Sequence, residues 1–428
     1  MNLSAPNKLS FPEAPAAADT THVSPKLELT VTRPSIAIVS PYGKHSQPLT
    51  SKADTGLNWY TSELAFELSA LANVQIIAPF SDGRCWRDGD VEVIEAFKRG
   101  SRLAAFQIMV AALKSATRTI GVQHELFAFG GPVSAVTLPI ALRLLRLFGR
   151  RIVTTIHGVV PLPSITREFV RNNGSRLSPT IARLGWRRLV RSVCSSSMLV
   201  VVHDEVLRRL LIEQYGVKQR IELVPLGVGS APLPDRNERL LARRFLGIPA
   251  NAEVLTFFGY FAGYKGLEPL LRAAPLLLEQ RPNLYLVLAG DVPDRLAASS
   301  PLGKQAATLA SAHTRVQYLG FVPEQEIRPV FAATDALILP YTTVISASGP
   351  LALAGAHGTP VLVSHLFPGV GGQPFTFNPN VEGISSAVQS FFDSAGVREA
   401  SREYVLRLRE ECSWHSVAKR MLALYNHE

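Results

Sequence analysis

Short apolar runs alternate with longer amphipathic stretches over most of the chain. Ile36–Pro41 (IAIVSP), Val74–Pro79 (VQIIAP), Arg151–Gly158 (RIVTTIHG), Ser197–Asp204 (SMLVVVHD) and Ile221–Gly227 (IELVPLG) are rich in β-branched residues. Such runs predict strands buried on both faces. Helical stretches lie between them: NWYTSELAFELSAL after a polar loop through Gly56, a stretch near Leu103–Ser115, and basic helices before Arg151 and before Ser197. Strands alternating with helices of about 10–15 residues predict a parallel, doubly wound sheet. The scheme repeats with Val254–Tyr260, a helix LEPLLRAAPLLLEQ, Leu284–Asp291 and Val316–Val322. It continues through LILPYTTVISASGPLALAGAHGTPVLVS (Leu337–Ser364), a strand, a polar loop, a helix opening at Gly349-Pro350, and a second strand.

The fold class is therefore α/β, with two Rossmann-like domains. GVGSAPLPDR (Gly227–Arg236), rich in Gly and Pro, is the expected hinge. Residues 1–34, rich in Pro, Ala, Ser and Thr, are expected to form a disordered tail. The domains then span 35–228 and 229–405, with a C-terminal amphipathic helix over 406–428 packing back on the first domain.

A formal charge of +10 admits nucleic acid, an anionic membrane surface or a phosphorylated small molecule as partner. No nucleic-acid-binding module is recognisable, so nucleic acid is not expected. Arg176, Arg183 and Arg187, with Trp186 beside them, share a helical face that suits an anionic membrane surface, provided the helix runs through Pro179. No stretch approaches the roughly 20 apolar residues of a spanning helix, and the start has no apolar run of signal-peptide length. The expected location is cytoplasmic, or peripheral at the inner face of a membrane. Cys85, Cys194 and Cys412 are widely spaced, without metal-ligand or disulfide pattern, as suits a reducing compartment.

Candidate chemistry gathers after the strands. Ser348-Gly349-Pro350-Leu351 opens a helix with small residues, and a helix start with free N–H groups seats an anion such as a diphosphate. Lys265-Gly266 follows a strand in the same half and offers a point charge beside an approachable backbone. His157 ends a strand of the first half, and His124-Glu125 follows another; such groups orient hydroxyls or move protons. The loop at Gly56, with Tyr60 four residues on, would face the same cleft. No metal-ligand spacing accompanies these residues.

Together, QHELFAFGG, TTIHG, IELVPLGV, FFGYFAGYKGLEPLL, LYLVLAGD, VQYLGFV, SGPLALAGAHGTPVL and SWHSVAKRMLALY resemble the retaining glycosyltransferases of family 4, over roughly residues 35 to 425. QHE…FGG with a YKGL loop is similar to bacterial members that build cell-surface polysaccharides and related glycans. The resemblance implies a GT-B fold, with the nucleotide-sugar donor in the C-terminal domain and the acceptor in the N-terminal one. It implies Lys265, Gly266, Ser348, Gly349, Pro350 and Leu351 for the donor, His157 beside the transferred sugar, and Gly56, Tyr60, His124 and Glu125 towards the acceptor or the cleft. His157 and Lys265 are its implied catalytic residues. Three departures stand out: Ile345 and Leu353 where many members carry glutamates, no arginine before Lys265, and Leu226 in place of a histidine.

The resemblance implies a metal-independent hexosyltransferase with no cofactor, using a nucleotide diphosphate sugar and a glycan or lipid-linked acceptor. Two alternatives stay open: a GT-B-like sugar-nucleotide epimerase, and a catalytically silent sugar-nucleotide-binding protein.

Overall fold

The computed structural model describes residues 33–45, 56–81, 85–125, 128–172, 175–293 and 300–427. The expected disordered tail, most of the polar loop before Gly56, and Leu126-Phe127 of the QHELFAFGG stretch lie outside these. The first sheet holds β1 (Ser35–Val39), β2 (Asn73–Pro79), β3 (Cys85–Asp88), β4 (Val91–Phe97), β5 (Thr119–His124), β6 (Arg151–Ile156), β7 (Leu199–Val202) and β8 (Arg220–Leu223). Their order is β3-β4-β2-β1-β5-β6-β7-β8, parallel throughout except for the edge hairpin of β3 with β4. The second sheet holds β9 (Glu253–Phe258), β10 (Leu284–Ala289), β11 (Val316–Gly320), β12 (Ala336–Leu339), β13 (Val361–Ser364) and β14 (Thr376–Phe377). Its order, β11-β10-β9-β12-β13-β14, is wholly parallel.

The helices of the first half are α1 (Gly56–Ser69), α2 (Ala104–Lys114), α3 (Pro132–Leu147), α4 (Arg167–Asn172), α5 (Pro179–Ser195) and α6 (Glu205–Arg209). Those of the second are α7 (Arg236–Phe245), α8 (Leu267–Gln280), α9 (Leu302–Ala312), α10 (Glu324–Ala333), α11 (Gly349–His357), α12 (Val381–Asp393) and α13 (Ala395–Glu411), and α14 (Trp414–Asn426) follows. The apolar runs become strands with fully buried stretches, as in β12 and β13. Helices on both faces cover them, and this produces near-continuous apolar sequences.

Two expectations are corrected. The C-terminal stretch is two helices, not one: α13 stops at Cys412, and the Ser413 side chain caps α14 by accepting from the Ser416 N–H. Secondly, α5 begins at Pro179, capped by Ser178, so Arg176 lies outside the helix. Proline fits the first helical position but cannot continue a helix arriving from before it. Arg183 also turns inward, donating to the Ile165 and Pro163 carbonyls. The three-arginine face read from the sequence is therefore not formed.

The chain passes between the halves twice, side by side. Val228 N–H donates to Cys412 O at 2.8 Å, and Val228 bridges Ser413. Around the first crossing, Arg328 donates to Pro232 O and Arg409 to Ala231 O. Beyond the second, α14 sinks into the first half, where Trp414, Val417, Met421 and Tyr425 share a core with Ile36, Tyr60 and Val153. The Trp414 ring lies over Gly227 so closely that a Cβ there would fall 2.2 Å from it. The Tyr425 carbonyl accepts from Thr119 and the Leu424 carbonyl from Arg151.

Candidate active site

The first group of candidate residues stands where neighbouring strands end. β5, β6 and β7 lie side by side, so Gln123 and His124 at the end of β5, His157 after β6 and His203 after β7 come onto one rim. His157 Nε2 lies 2.8 Å from Gln123 Oε1, and His157 Nδ1 lies 3.1 Å from His203 Nε2. His203 Nδ1 is 3.0 Å from the Val224 carbonyl. Tyr60 packs beneath both rings, with centroids 4.5 Å from His157 and 5.2 Å from His203.

These contacts leave two proton arrangements, set by which way the Gln123 amide faces. The Val224 carbonyl can only accept, so His203 carries its proton on Nδ1 and offers a lone pair from Nε2. His157 must then donate from Nδ1, which leaves its own Nε2 as an acceptor. An acceptor there requires the Gln123 amide to present nitrogen, a half-turn that also offers its oxygen to the Tyr425 hydroxyl. With the amide oxygen facing His157 instead, two lone pairs oppose each other between the imidazoles. That gap is a place for one shared proton. Burial opposes the charge: it pushes His203 down to about 4 and His157 well below the ordinary range, with His203 and His124 adding to the His157 shift.

His124 is buried, shifted down to about 4 by burial, and its Nδ1 has no partner among the described residues. Tyr60 is buried in the core, so it supports the histidines from below and does not face an open cleft. Gly56 is the exposed first residue of α1. Glu125 lies close enough to the second half for its charge to be felt at Tyr264.

The second group belongs to the other half. Lys265 is buried, with Nζ 5.6 Å above the Tyr341 ring. Gly266 follows in the left-handed region at φ 72°, where a Cβ would fall 1.7 Å from the Pro340 carbonyl. Only glycine permits that approach. At α11, Ser348 accepts from the Leu351 N–H at 3.3 Å and is itself 3.2 Å from the Tyr341 hydroxyl. Pro350 has no N–H, and the Gly349 N–H has no partner among the described residues. Space above Gly349 is open, with nothing within 4 Å of a Cβ built there. Lys265 and the α11 start converge, since a Cβ on Gly259 would lie 2.9 Å from Lys265 Nζ and 3.2 Å from Pro350. An anion between them would meet a full charge, a helix N-terminus and a displaceable cap.

The two groups are joined across the halves. The segment after His157 forms an antiparallel bridge between Gly158 and Ser346, and Val159 N–H donates to Ile345 O at 2.8 Å. The histidine rim thus leads directly into the loop that ends at Ser348. No group of His, Cys, Asp and Glu side chains able to hold a metal ion is present among the described residues. His203 and Tyr341 were not singled out from the sequence, and Gln123 was read there only as the first residue of the QHE motif; His203 follows an apolar strand just as His157 does, and that was its signal.

Two facing Rossmann-like domains with such a rim define the GT-B class of glycosyltransferases. Family models described as Glycosyltransferase Family 4 and Glycosyl transferases group 1 match residues 55–230 and 252–393, and the chain belongs to this family. A D-inositol 3-phosphate glycosyltransferase of Corynebacterium urealyticum is 27% identical over 79% of this chain and 78% of its own length. The protein of that name in Corynebacterium glutamicum is 25% identical over 55% of this chain, and the match spans only 58% of that relative. Sucrose-phosphate synthase from Thermosynechococcus elongatus superposes with a TM-score of 0.68 at 18% identity, covering 92% of this chain and 98% of that one. Anabaena HepE, solved with UDP and glucose, gives 0.63 at 16% identity, covering 92% and 99%.

Proposed function

We propose that the protein transfers a hexose from a nucleotide diphosphate sugar to a glycan or lipid-linked acceptor, with retention at the anomeric carbon. The donor diphosphate lies between Lys265 and the start of α11, and His157 faces the transferred sugar. The observation that carries this reading is the convergence of Lys265 Nζ and the first turn of α11 above Gly259. When the glycosidic bond to the diphosphate breaks, the leaving group gains charge. A preorganised ammonium and N–H groups stabilise that charge without a metal. The acceptor approaches from the first domain near His124 and Glu125. Domain closure, supported by the Gly158–Ser346 bridge, excludes the water that would hydrolyse the donor. A role in cell-surface glycan synthesis in the cytoplasm follows the resemblance of the sequence. The similarity to a protein solved with UDP and glucose favours a uridine nucleotide.

Calorimetric titration with UDP, GDP and ADP tests the site. A charge-assisted hydrogen bond is worth about 1.5–3 kcal/mol, so Lys265→Ala should weaken the preferred diphosphate about ten- to a hundredfold. Gly349→Val, whose side chain enters open space, should fold normally and lose diphosphate binding. If both variants bind like the parent, the anion site lies elsewhere.

A further inference from the structure

The first domain carries an apolar helix face that nothing among the described residues covers. On α3, Val133, Val136, Ile140, Leu144 and Leu147 are all exposed, Ile140 by 52% and Leu147 by 81%. Their spacing of three, four, four and three places them in one stripe. At 1.5 Å per residue the stripe runs about 20 Å. Phe148 continues it past the helix end, and exposed Phe106 on the adjoining α2 and Leu103 just before it add to it. The opposite face of α3, with Leu138, Leu142 and Leu145, fills the core, so the outer stripe is not needed for folding.

The charges on the helices that bear and flank the stripe have one sign. Arg143 and Arg146 line its edge and reach across to α5 at Ser192 and Ser195. Arg188 and Arg191 are exposed on α5. Helices α2, α3 and α5 contain no Asp or Glu. Residues 98–195 hold sixteen Lys and Arg against Glu125 and Glu168, more positive charge than the +10 of the whole chain. The rest of the sequence is therefore net negative, and the basic charge is concentrated in the segment that includes the apolar stripe.

We infer that the α3 face, flanked by α2 and α5, docks on an anionic lipid bilayer, with the stripe among the acyl chains and the arginines at the head groups. An apolar stripe edged by arginine is the composition of a helix lying in a membrane interface. Charge complementarity selects this occupant, because a second copy would bring arginine against arginine. This surface replaces the Arg176–Arg183–Arg187 face expected from the sequence. It also goes beyond the transfer reaction, since binding to lipid is read without donor or acceptor.

The full-length protein is sedimented with phosphatidylglycerol–phosphatidylcholine vesicles and, in parallel, with phosphatidylcholine alone. Binding is expected to the first only, falling steeply as salt is added. Arg188→Gln with Arg191→Gln should lower the partition coefficient about 25-fold, at roughly fivefold per charge. Ile140→Glu with Leu147→Glu should abolish it, since burying each apolar side chain is worth about ten- to a hundredfold. Unchanged melting temperatures show that both doubly substituted proteins are folded, and the arginine pair keeps the test open if the α3 pair is not. The inference is overturned by absence of binding to the anionic vesicles, by equal binding to neutral ones, or by variants that bind like the parent. It is also overturned if gel filtration shows a dimer that Leu147→Glu dissolves, which makes the face a protein interface.

Discussion

Replacing His203 with asparagine should flatten the acid dependence of stability. His203 is buried with its Nδ1 on the Val224 carbonyl, and burial holds it down to about 4, against about 6.5 in an unfolded chain. Between those values the unfolded state binds a proton that the folded state refuses, so stability is complete above pH 6.5 and declines as pH falls towards 4. The slope reaches about 1.4 kcal/mol per pH unit, and the loss for this one group is about 2 kcal/mol at pH 5. His124 and His357, also held down to about 4, act in the same direction. His45, raised mainly by its hydrogen bond to Glu63, opposes them. Asparagine keeps a donor for Val224 and cannot titrate. The assay is urea unfolding of parent and His203→Asn at pH 7 and pH 5, followed by tryptophan fluorescence. The parent should lose about 2 kcal/mol more over that interval than the variant, even though the variant begins less stable. Equal losses would mean that His203 is charged or solvated in the folded protein, and the proton assignment along His203, His157 and Gln123 would fall.

Two further outcomes follow. His157→Ala should cut sugar transfer roughly a hundredfold, the usual worth of a positioned acid or base, while calorimetry finds nucleoside diphosphate binding nearly unchanged; wild-type turnover would make the residue structural. Trp414→Ala should cost about 3–5 kcal/mol in denaturant melts, since the ring is buried against Trp59 and Tyr60, and a loss under 1 kcal/mol would show that α14 is not part of the first core.

Much of the architecture is legible because strands buried on both faces leave unbroken apolar runs. β4 escaped notice for the converse reason. Val91–Phe97 alternates buried and half-buried positions, and Glu92 and Glu95 interrupt its apolar character. β3 is a short, mostly polar edge strand that only its partner defines. The break between α13 and α14 was hidden because amphipathic spacing continues across Ser413, although a serine before Trp414 is a fair capping signal. Pro179 likewise marked the start of α5 in plain view. The anion turn and Lys265 could be read locally, since small residues and a helix start are sequence features. The pairing of His157 with His203 could not, because it depends on β6 and β7 being neighbours, 46 residues apart at the contact.

The second crossing between the halves has a consequence for synthesis. The core of the first domain is completed by Trp414, Val417, Met421 and Tyr425, and the Tyr425 hydroxyl reaches Gln123 beneath His157. Roughly 190 residues separate the end of β8 from α14, which a ribosome adds in ~10–40 s. For that whole interval the first domain lacks one wall, with the groove that receives α14 open to solvent. The second domain, whose strands and helices up to α13 are contiguous in sequence, emerges with all its own parts. The half that is made first is therefore the half that must wait, held open until α14 leaves the exit tunnel.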